Sequence, residues 1–397
     1  MGERKPVTDW ATDFDYLDPA WVDNPFPIWD EMRQKCPVAH TDRFEGVYFI
    51  SRYEDVLAAA KDTEHFSSRR ILAREGRPPA VPARPLTSDP PEHRAIKQML
   101  VPAFTPEVVA RYKIYAQEIC RELLQNLAGK KECDAANEYS QEVPLRVTAS
   151  MLGVSRSDWN QLRTWAHEFF ETGITDAAIL RRVFIAMDGF FTKEIAKRRR
   201  TPGDDLVSFL LEARIEGELL SEPEIKETLL LILTAGIDTT WSAIGASIWH
   251  LATHDEDRQR LVDEPGLIPT AVEEFLRAYS PVTTGRDIAK DTELNGCPIK
   301  VGNMALLSFP SANRDPSVFP DADQVVLDRK PNRHIAFGFG IHNCLGANLA
   351  RMEIIVALQE WLAKIPYFRL APGAEVKWSL GQVRGPRHLP LIFDPAV

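Results

Sequence analysis

Towards its C-terminal end the chain reads Phe337-Gly338-Phe339-Gly340-Ile341-His342-Asn343-Cys344-Leu345-Gly346, a single cysteine in a glycine-rich turn. The residues that follow, ANLARMEIIVALQEWLAKI, carry the apolar spacing of an amphipathic helix. A cysteine in that place is disposed to be a thiolate, because unpaired backbone N–H groups and the positive end of the helix dipole stabilise negative charge on sulfur. The glycines let the backbone approach a flat cofactor and aim N–H groups at the sulfur. Taken alone, a lone cysteine is more often a small buried hydrophobe. The second group with chemical capacity is Ala235-Gly236-Ile237-Asp238-Thr239-Thr240, an acid beside a hydroxyl in an apolar stretch. Such groups cost free energy when buried unpaired. Either they handle protons, or Thr239 bonds back to the Ala235 carbonyl while Asp238 pairs with a buried arginine. Gly236 adds a hint, since a glycine inside a helix costs about 1 kcal/mol against alanine and calls for a reason such as close approach of a ligand.

Both groups need rigid supports. The helix carrying Asp238 and Thr239 starts after Ser221, which with Glu224 makes a capping-box pattern, and meets no breaker until about His254. At about 1.5 Å per residue it is on the order of 50 Å long. Leu229 to Leu233 are apolar all round, so it should cross the interior, and Asp238 and Thr239 interrupt it too strongly for a membrane span. Helical periodicity dominates elsewhere. Gly46 to Ile50 is a short β-type run, and residues 292–308, TELNGCPIKVGNMALLS, read as two strands about an Asn295-Gly296 turn. Pro78 to Pro91 holds six prolines and can be neither helix nor central strand. Glu274 and Arg277 stand three apart on one helical face.

Composition sets the class. The 397 residues are 44% hydrophobic and 26% charged, proportions of a globular protein with a large core. A net charge of -10 argues against a nucleic-acid binder. Cys36, Cys120, Cys133, Cys297 and Cys344 are odd in number and form no CxxC pair, which disfavours zinc, a dithiol centre or a disulfide framework and favours a reducing compartment. The opening MGERKPVTDWATDFDY has no apolar signal region. The expectation is a cytoplasmic protein, monomeric and without membrane contact. No repeat or Gly/Ser linker divides residues 1–397, which read as a single domain.

Phe337, Gly340, Cys344 and Gly346 together form F-x-x-G-x-x-x-C-x-G, which resembles the haem-binding signature of the cytochromes P450. At average residue usage these four fixed positions match by accident about once in a thousand chains of this length. The stretch 235–240 resembles the family's distal-helix motif at every position. Glu274 and Arg277, 70 residues before Cys344, resemble its E-x-x-R pair, and Arg329 in VLDRKPNRH falls where the third partner of that network stands. The likeness runs from DNPFPIWDEMR and SRYEDVLAAAKDTEHFSS through ANRDPSVFPDADQ to the end.

The resemblance implies a mainly α fold with small β-sheets, and haem b (iron protoporphyrin IX) between a long buried distal helix and a proximal cysteine loop. Cys344 would be the iron ligand, supported by Phe337, Gly338 and Gly346. Ala235 would face the distal side of the haem, and His93, Lys97, Arg286 and His342 would meet the propionates. Lys97 stands where many relatives have arginine and lacks the bidentate fork. Thr239 would hydrogen-bond dioxygen and Asp238 relay protons, while Glu274, Arg277 and Arg329 would hold the cysteine loop structurally.

By the same resemblance, Leu231, Ala235, Val282, Thr283, Leu380 and part of the segment from Ile71 to Leu86 would wall a substrate pocket. Mostly apolar walls suggest a small hydrophobic compound, terpenoid or aromatic. The stretch RMEIIVALQEWLAKIPYFRLAPGAEV resembles bacterial monoterpene hydroxylases and favours terpenoids. Arg69, Arg70, Arg74, Arg77 and Arg84 could instead attract a carboxylate. With no fused reductase domain, electrons would come from a separate ferredoxin and ferredoxin reductase, docking near Arg94, Lys97, Arg111 or Arg351. The implied reaction is hydroxylation or O-dealkylation with O2. A peroxide-driven or isomerising enzyme on the same fold, or a haem gas sensor, would have little use for the Asp238-Thr239 pair.

Overall fold

The computed structural model describes residues 4–76, 82–173 and 176–394. Arg77 and the start of the proline-rich segment lie outside them. The chain folds into two compact units. One comprises Met1–Arg94, Glu273–Cys344 and Leu380–Arg384, and the other Ala95–Val272, Leu345–Ser379 and Gly385–Val397.

The first unit is built on a five-stranded sheet ordered Val38–Thr41, Val47–Ile50, Met304–Ser308, Thr283–Ile288, Phe66–Ser67. Its neighbours are antiparallel except Val47–Ile50 beside Met304–Ser308. These two central strands are buried at every position, which is why VYFI and MALLS are unbroken apolar runs rather than alternating ones. The pleat sends Tyr48, Ile50, Ala305 and Leu307 into one hydrophobic cluster and Val47, Phe49, Met304 and Leu306 into another. Asn295 and Gly296, both at positive φ, close a hairpin between Thr292–Leu294 and Cys297–Ile299. The stretch 292–308 therefore holds three strands, not two. The third, Met304–Ser308, leaves the hairpin for the main sheet, where its apolar side chains find cover on both faces.

The second unit is helical. Its principal helices are Pro106–Gln125, Glu142–Met151, Trp159–His167 with a π-helical continuation Glu168–Thr172, Ala177–Arg200, Glu222–Thr253 and Ala347–Lys364. Three short strands, Phe368–Leu370, Pro390–Phe393 and Glu132–Asp134, form one sheet. Lys377–Trp378 and Pro386–His388 pair as a second. Helix Glu222–Thr253 starts at the capping box: Glu224 accepts from the Ser221 backbone N–H at 2.8 Å. It is long and apolar enough by composition to cross a membrane, yet most of its apolar length is buried in protein. Ile225, Leu229, Leu233 and Ile237, at helical spacing, enter the unit's main cluster with Leu145, Ala149, Met187 and Phe191. Gly236 has a packing reason: an added Cβ would meet Thr148 Oγ1 of the neighbouring helix at 3.0 Å. Helix contact is thus one reason for the glycine.

Candidate active site

In the first unit the cysteine loop is a folded turn. Gly338 and Gly340 take φ of +75° and +71°, which side-chain-bearing residues rarely adopt, and a Cβ on Gly340 would also stand 2.9 Å from the Ala60 carbonyl oxygen. The Cys344 N–H donates to the Phe337 carbonyl at 2.8 Å, closing the loop, and Cys344 itself is exposed. Gly346, two residues on, caps the N-terminus of helix Ala347–Lys364, so the thiol precedes four unpaired helix N–H groups. None of the five cysteines, all of them described, is in a disulfide.

A buried ionic network ties down residues 326–332, which precede the loop in sequence. Arg277 grips Glu274 with two hydrogen bonds of 2.8 Å, both side chains being wholly buried. It also donates to the carbonyls of Asn313, Ala322 and Gln324. Glu274 further accepts from Arg329, the Asn332 amide and the Val326 N–H. Every polar atom of the carboxylate is engaged, which is what makes a buried pair tolerable.

His93, His342 and Arg286, three of the expected propionate contacts, lie in the same unit. The rings of His93 and His342 are 4.1 Å apart, and His342 Nε2 lies 2.9 Å from Ser68 Oγ. Arg286 is 4% exposed and donates to the Gly285 carbonyl and Thr284 Oγ1, with no carboxylate in ion-pair contact among the described residues. Burial pushes its guanidinium down to about 10, with Asp89 opposing the shift from a distance. A buried guanidinium with no carboxylate in contact is suited to an anionic group such as a propionate. Lys97 follows His93 by four residues in helix Glu92–Leu100.

In the second unit, the long helix shows a stripe of accessible positions four residues apart: Leu231 half-buried, Ala235 exposed, Thr239 half-buried. The Thr239 hydroxyl donates to the Ala235 carbonyl at 2.8 Å. Asp238, turned away from the stripe, is buried and ion-paired with Arg387, so both parts of the plain structural arrangement are present. Burial raises the Asp238 carboxyl to about 6, Arg387 pulling it down and Glu171 pushing it up. Sequence reasoning missed Arg387 and Glu171, because Arg387 is 149 residues from its partner.

Of the proposed pocket residues, Val282 bridges to Val383, and the Thr283 N–H donates to the Gln382 carbonyl at 2.8 Å, which brings the turn after Leu380 beside that strand. Gln382 was not foreseen. Its side chain donates to the carbonyls of Ile71 and Thr283 and accepts from the Ala73 N–H, tying three of the expected wall segments together. Of the segment's arginines, Arg69, Arg70 and Arg84 face Asp89, Asp287 and Glu92 within ion-pair distance, and Arg74 is partly buried.

The family model for Cytochrome P450 matches residues 148–377, more than half of the chain. The chain belongs to the cytochrome P450 family. Among curated P450 relatives it is similar to the mycinamicin IV hydroxylase/epoxidase of Micromonospora griseorubida, 36% identical over 88% of this chain and 90% of that one. It is also similar to the steroid C26-monooxygenase of Mycolicibacterium smegmatis, 34% identical over 92% of each chain. Among solved structures, cytochrome P450 CYP109Q5 from Chondromyces apiculatus superposes with a TM-score of 0.90 at 32% identity, covering 98% of this chain and all of the other. This P450 is accordingly a mainly α protein with small sheets, a haem-dependent oxidoreductase of the monooxygenase type, and its cofactor is iron protoporphyrin IX. Within the first unit the residues fit that group: an exposed cysteine in a tight glycine turn and a buried guanidinium with no carboxylate in contact among the described residues.

Proposed function

We propose that this P450 inserts one oxygen atom of O2 into a hydrophobic organic substrate, by hydroxylation or O-dealkylation, with two electrons from a separate ferredoxin and ferredoxin reductase. The observation that carries the reading is a buried acid, Asp238, directly beside a hydroxyl, Thr239, on the accessible stripe of the long helix. When bound, the haem iron supplies O2 activation and oxygen transfer. Cys344 would hold it through a thiolate favoured by the loop and the helix end. His93, His342, Arg286 and Lys97 would meet its propionates.

The chain's own proton chemistry follows from two hydrogen bonds. With its hydrogen committed to the Ala235 carbonyl, Thr239 Oγ1 presents lone pairs and accepts; to donate, it gives up one back-bond at a cost of about 1 kcal/mol. Asp238, with its carboxyl raised to about 6, is divided between acid and carboxylate near neutrality, the condition for passing protons in both directions. A peroxide-driven enzyme, an isomerase or a gas sensor has no need of this pair.

For the substrate, half-buried Leu231, Val282, Thr283 and Leu380 and exposed Ala235 support an apolar molecule. The named relatives act on mycinamicin IV and on a steroid. A steroid is larger than a monoterpenoid, so we extend the substrate class to terpenoids at large and aromatic compounds. Pairing of Arg69, Arg70 and Arg84 with the chain's own carboxylates weighs against a carboxylate substrate. Five cysteines without a disulfide among them fit a reducing compartment, the cytoplasm.

The test is turnover under 18O2 with a ferredoxin, its reductase and NADPH, against a terpenoid and aromatic panel chosen by spin-state shift. One labelled oxygen in the product supports the reading. Product formed only with added peroxide, without electron donors, overturns it.

A further inference from the structure

Arg387 is shared. One guanidinium edge binds Glu171 through Nε, Nη2 binds Asp238, and Nη1 donates to Ser242 Oγ at 3.0 Å. Its face lies over the Trp241 ring, 4.0 Å from the centroid. The side chains of Arg387 and Asp238 are each 7% exposed, while that of Glu171 is 21% exposed. Two carboxylates therefore compete for a single cation in a mostly dry place.

We propose that Glu171 is a positioning residue for the acid of the long helix: Glu171 and Asp238 share Arg387 and, between them, a single proton. The chemistry is charge counting. With both carboxyls ionised the trio carries a net charge of one minus, which burial penalises; one bound proton makes it neutral. Other charges near the trio are engaged elsewhere. His388, the neighbour of Arg387 on the hairpin, turns to Asp134 at 2.7 Å. Glu168, one turn before Glu171, pairs with Arg182. Helix Glu142–Met151, packed on the long helix at Gly236, offers neutral Thr148 there.

A direction of flow follows. When the Asp238 carboxyl gives up its proton, the new carboxylate claims more of Arg387. Glu171 then loses cation and gains a like-charged neighbour, so it takes a proton from water at its own exposed edge. The balance is one proton in from solvent and one proton out at Asp238, with the trio returned to neutrality. Glu171 touches no reacting atom in this scheme; it acts through the guanidinium. Its use in catalysis rests on the monooxygenase reading, but the shared proton does not.

The experiment reads the proton directly, by the protonated-carboxyl infrared band of the haem-loaded protein as a function of pH, every variant being made in a Glu353→Gln background that removes the other buried protonated carboxyl. In the wild type the expected midpoint is near the value of about 6 to which burial raises the Asp238 carboxyl. Glu171→Gln removes the competing charge and leaves Arg387 to Asp238, so the midpoint falls by about one pH unit or more. Asp238→Asn produces the mirror result, a similar fall in the midpoint of the remaining Glu171 band. Glu171→Asp keeps the charge and stays near the wild-type value, which separates charge sharing from damage to the fold. A Glu171→Gln midpoint equal to the wild type, with the band lost outright in Asp238→Asn, would show that Asp238 titrates alone and overturn the proposal. Because no turnover is involved, a shift in a protein that fails to oxygenate supports the shared proton and condemns only the catalytic reading.

Discussion

Gly385 lies so close to Ser242 that a Cβ on it would stand 2.4 Å from the Ser242 Cα. Next to it, Pro386 packs against Gly245, where an added Cβ would be 3.3 Å from the proline ring. Ser242 and Gly245, small and three apart on one helical face, make a groove into which the hairpin strand settles. That bedding carries Arg387 over Trp241 and onto Asp238. Gly385→Ala must lift the strand, since a backbone atom is in the way. The expected loss is about 1–3 kcal/mol of stability, read as a lower midpoint in denaturant. The carboxyl titration should move as well, because Arg387 is carried off with the strand. A stable protein with an unmoved titration would show that the hairpin does not set the ion pair.

Thr239→Ala removes a hydroxyl whose only described bond is to its own helix. Stability should change by less than about 1 kcal/mol. Proton delivery should suffer far more, with the ratio of product to NADPH consumed falling by about tenfold and peroxide rising to match. Measuring NADPH, peroxide and product together decides it, and unchanged coupling removes Thr239 from the role.

Gln382→Ala cuts the bonds that tie Ile71, Ala73 and Thr283 to the turn after Leu380. We expect a stability loss of about 1–3 kcal/mol. Substrate affinity, followed by spin-state titration, should weaken while Cys344 ligation stays as in the wild type. If affinity is untouched, these segments do not depend on Gln382 for their placement.

Glu353, on the helix after Cys344, is buried, and its Oε2 has no hydrogen-bond partner. Burial raises its carboxyl well above the ordinary 4.5. The folded state therefore keeps a proton that the unfolded chain has lost. This contribution is complete below the ordinary value and disappears as pH climbs through the raised one, by about 1.4 kcal/mol per pH unit in between. Glu353→Gln removes that slope. The melting temperature of the variant, relative to the wild type, should be higher at about pH 9 than at about pH 5. A difference independent of pH would mean that Glu353 is ionised in the folded protein.

Much of this could be read from short-range pattern. The long helix follows from Ser221, Glu224 and thirty residues without a breaker, and the cysteine loop from glycines whose left-handed backbone needs no distant partner. Glu274 and Arg277 announce each other by their spacing, although Asn332 and the Val326 N–H, which complete the carboxylate's bonding, do not. What stayed hidden depends on tertiary contact. Nothing in GPRHL marks Arg387 as the partner of an acid 149 residues earlier. Gly236 suggested a ligand because a glycine's sequence cannot say which neighbour presses on it, here Thr148. The strand Met304–Ser308 merged with the preceding hairpin in sequence because only a few residues divide it from Cys297–Ile299; pairing with Val47–Ile50 and Thr283–Ile288 separates them.

The central claim is that Cys344 binds haem iron as a thiolate, and the carbon monoxide difference spectrum of the dithionite-reduced protein tests it most directly. The account predicts the red-shifted Soret band of thiolate-ligated haem in the wild type, lost in Cys344→Ser. A band at the position of histidine-ligated haem in the folded wild type, or a red-shifted band that survives Cys344→Ser, would contradict it.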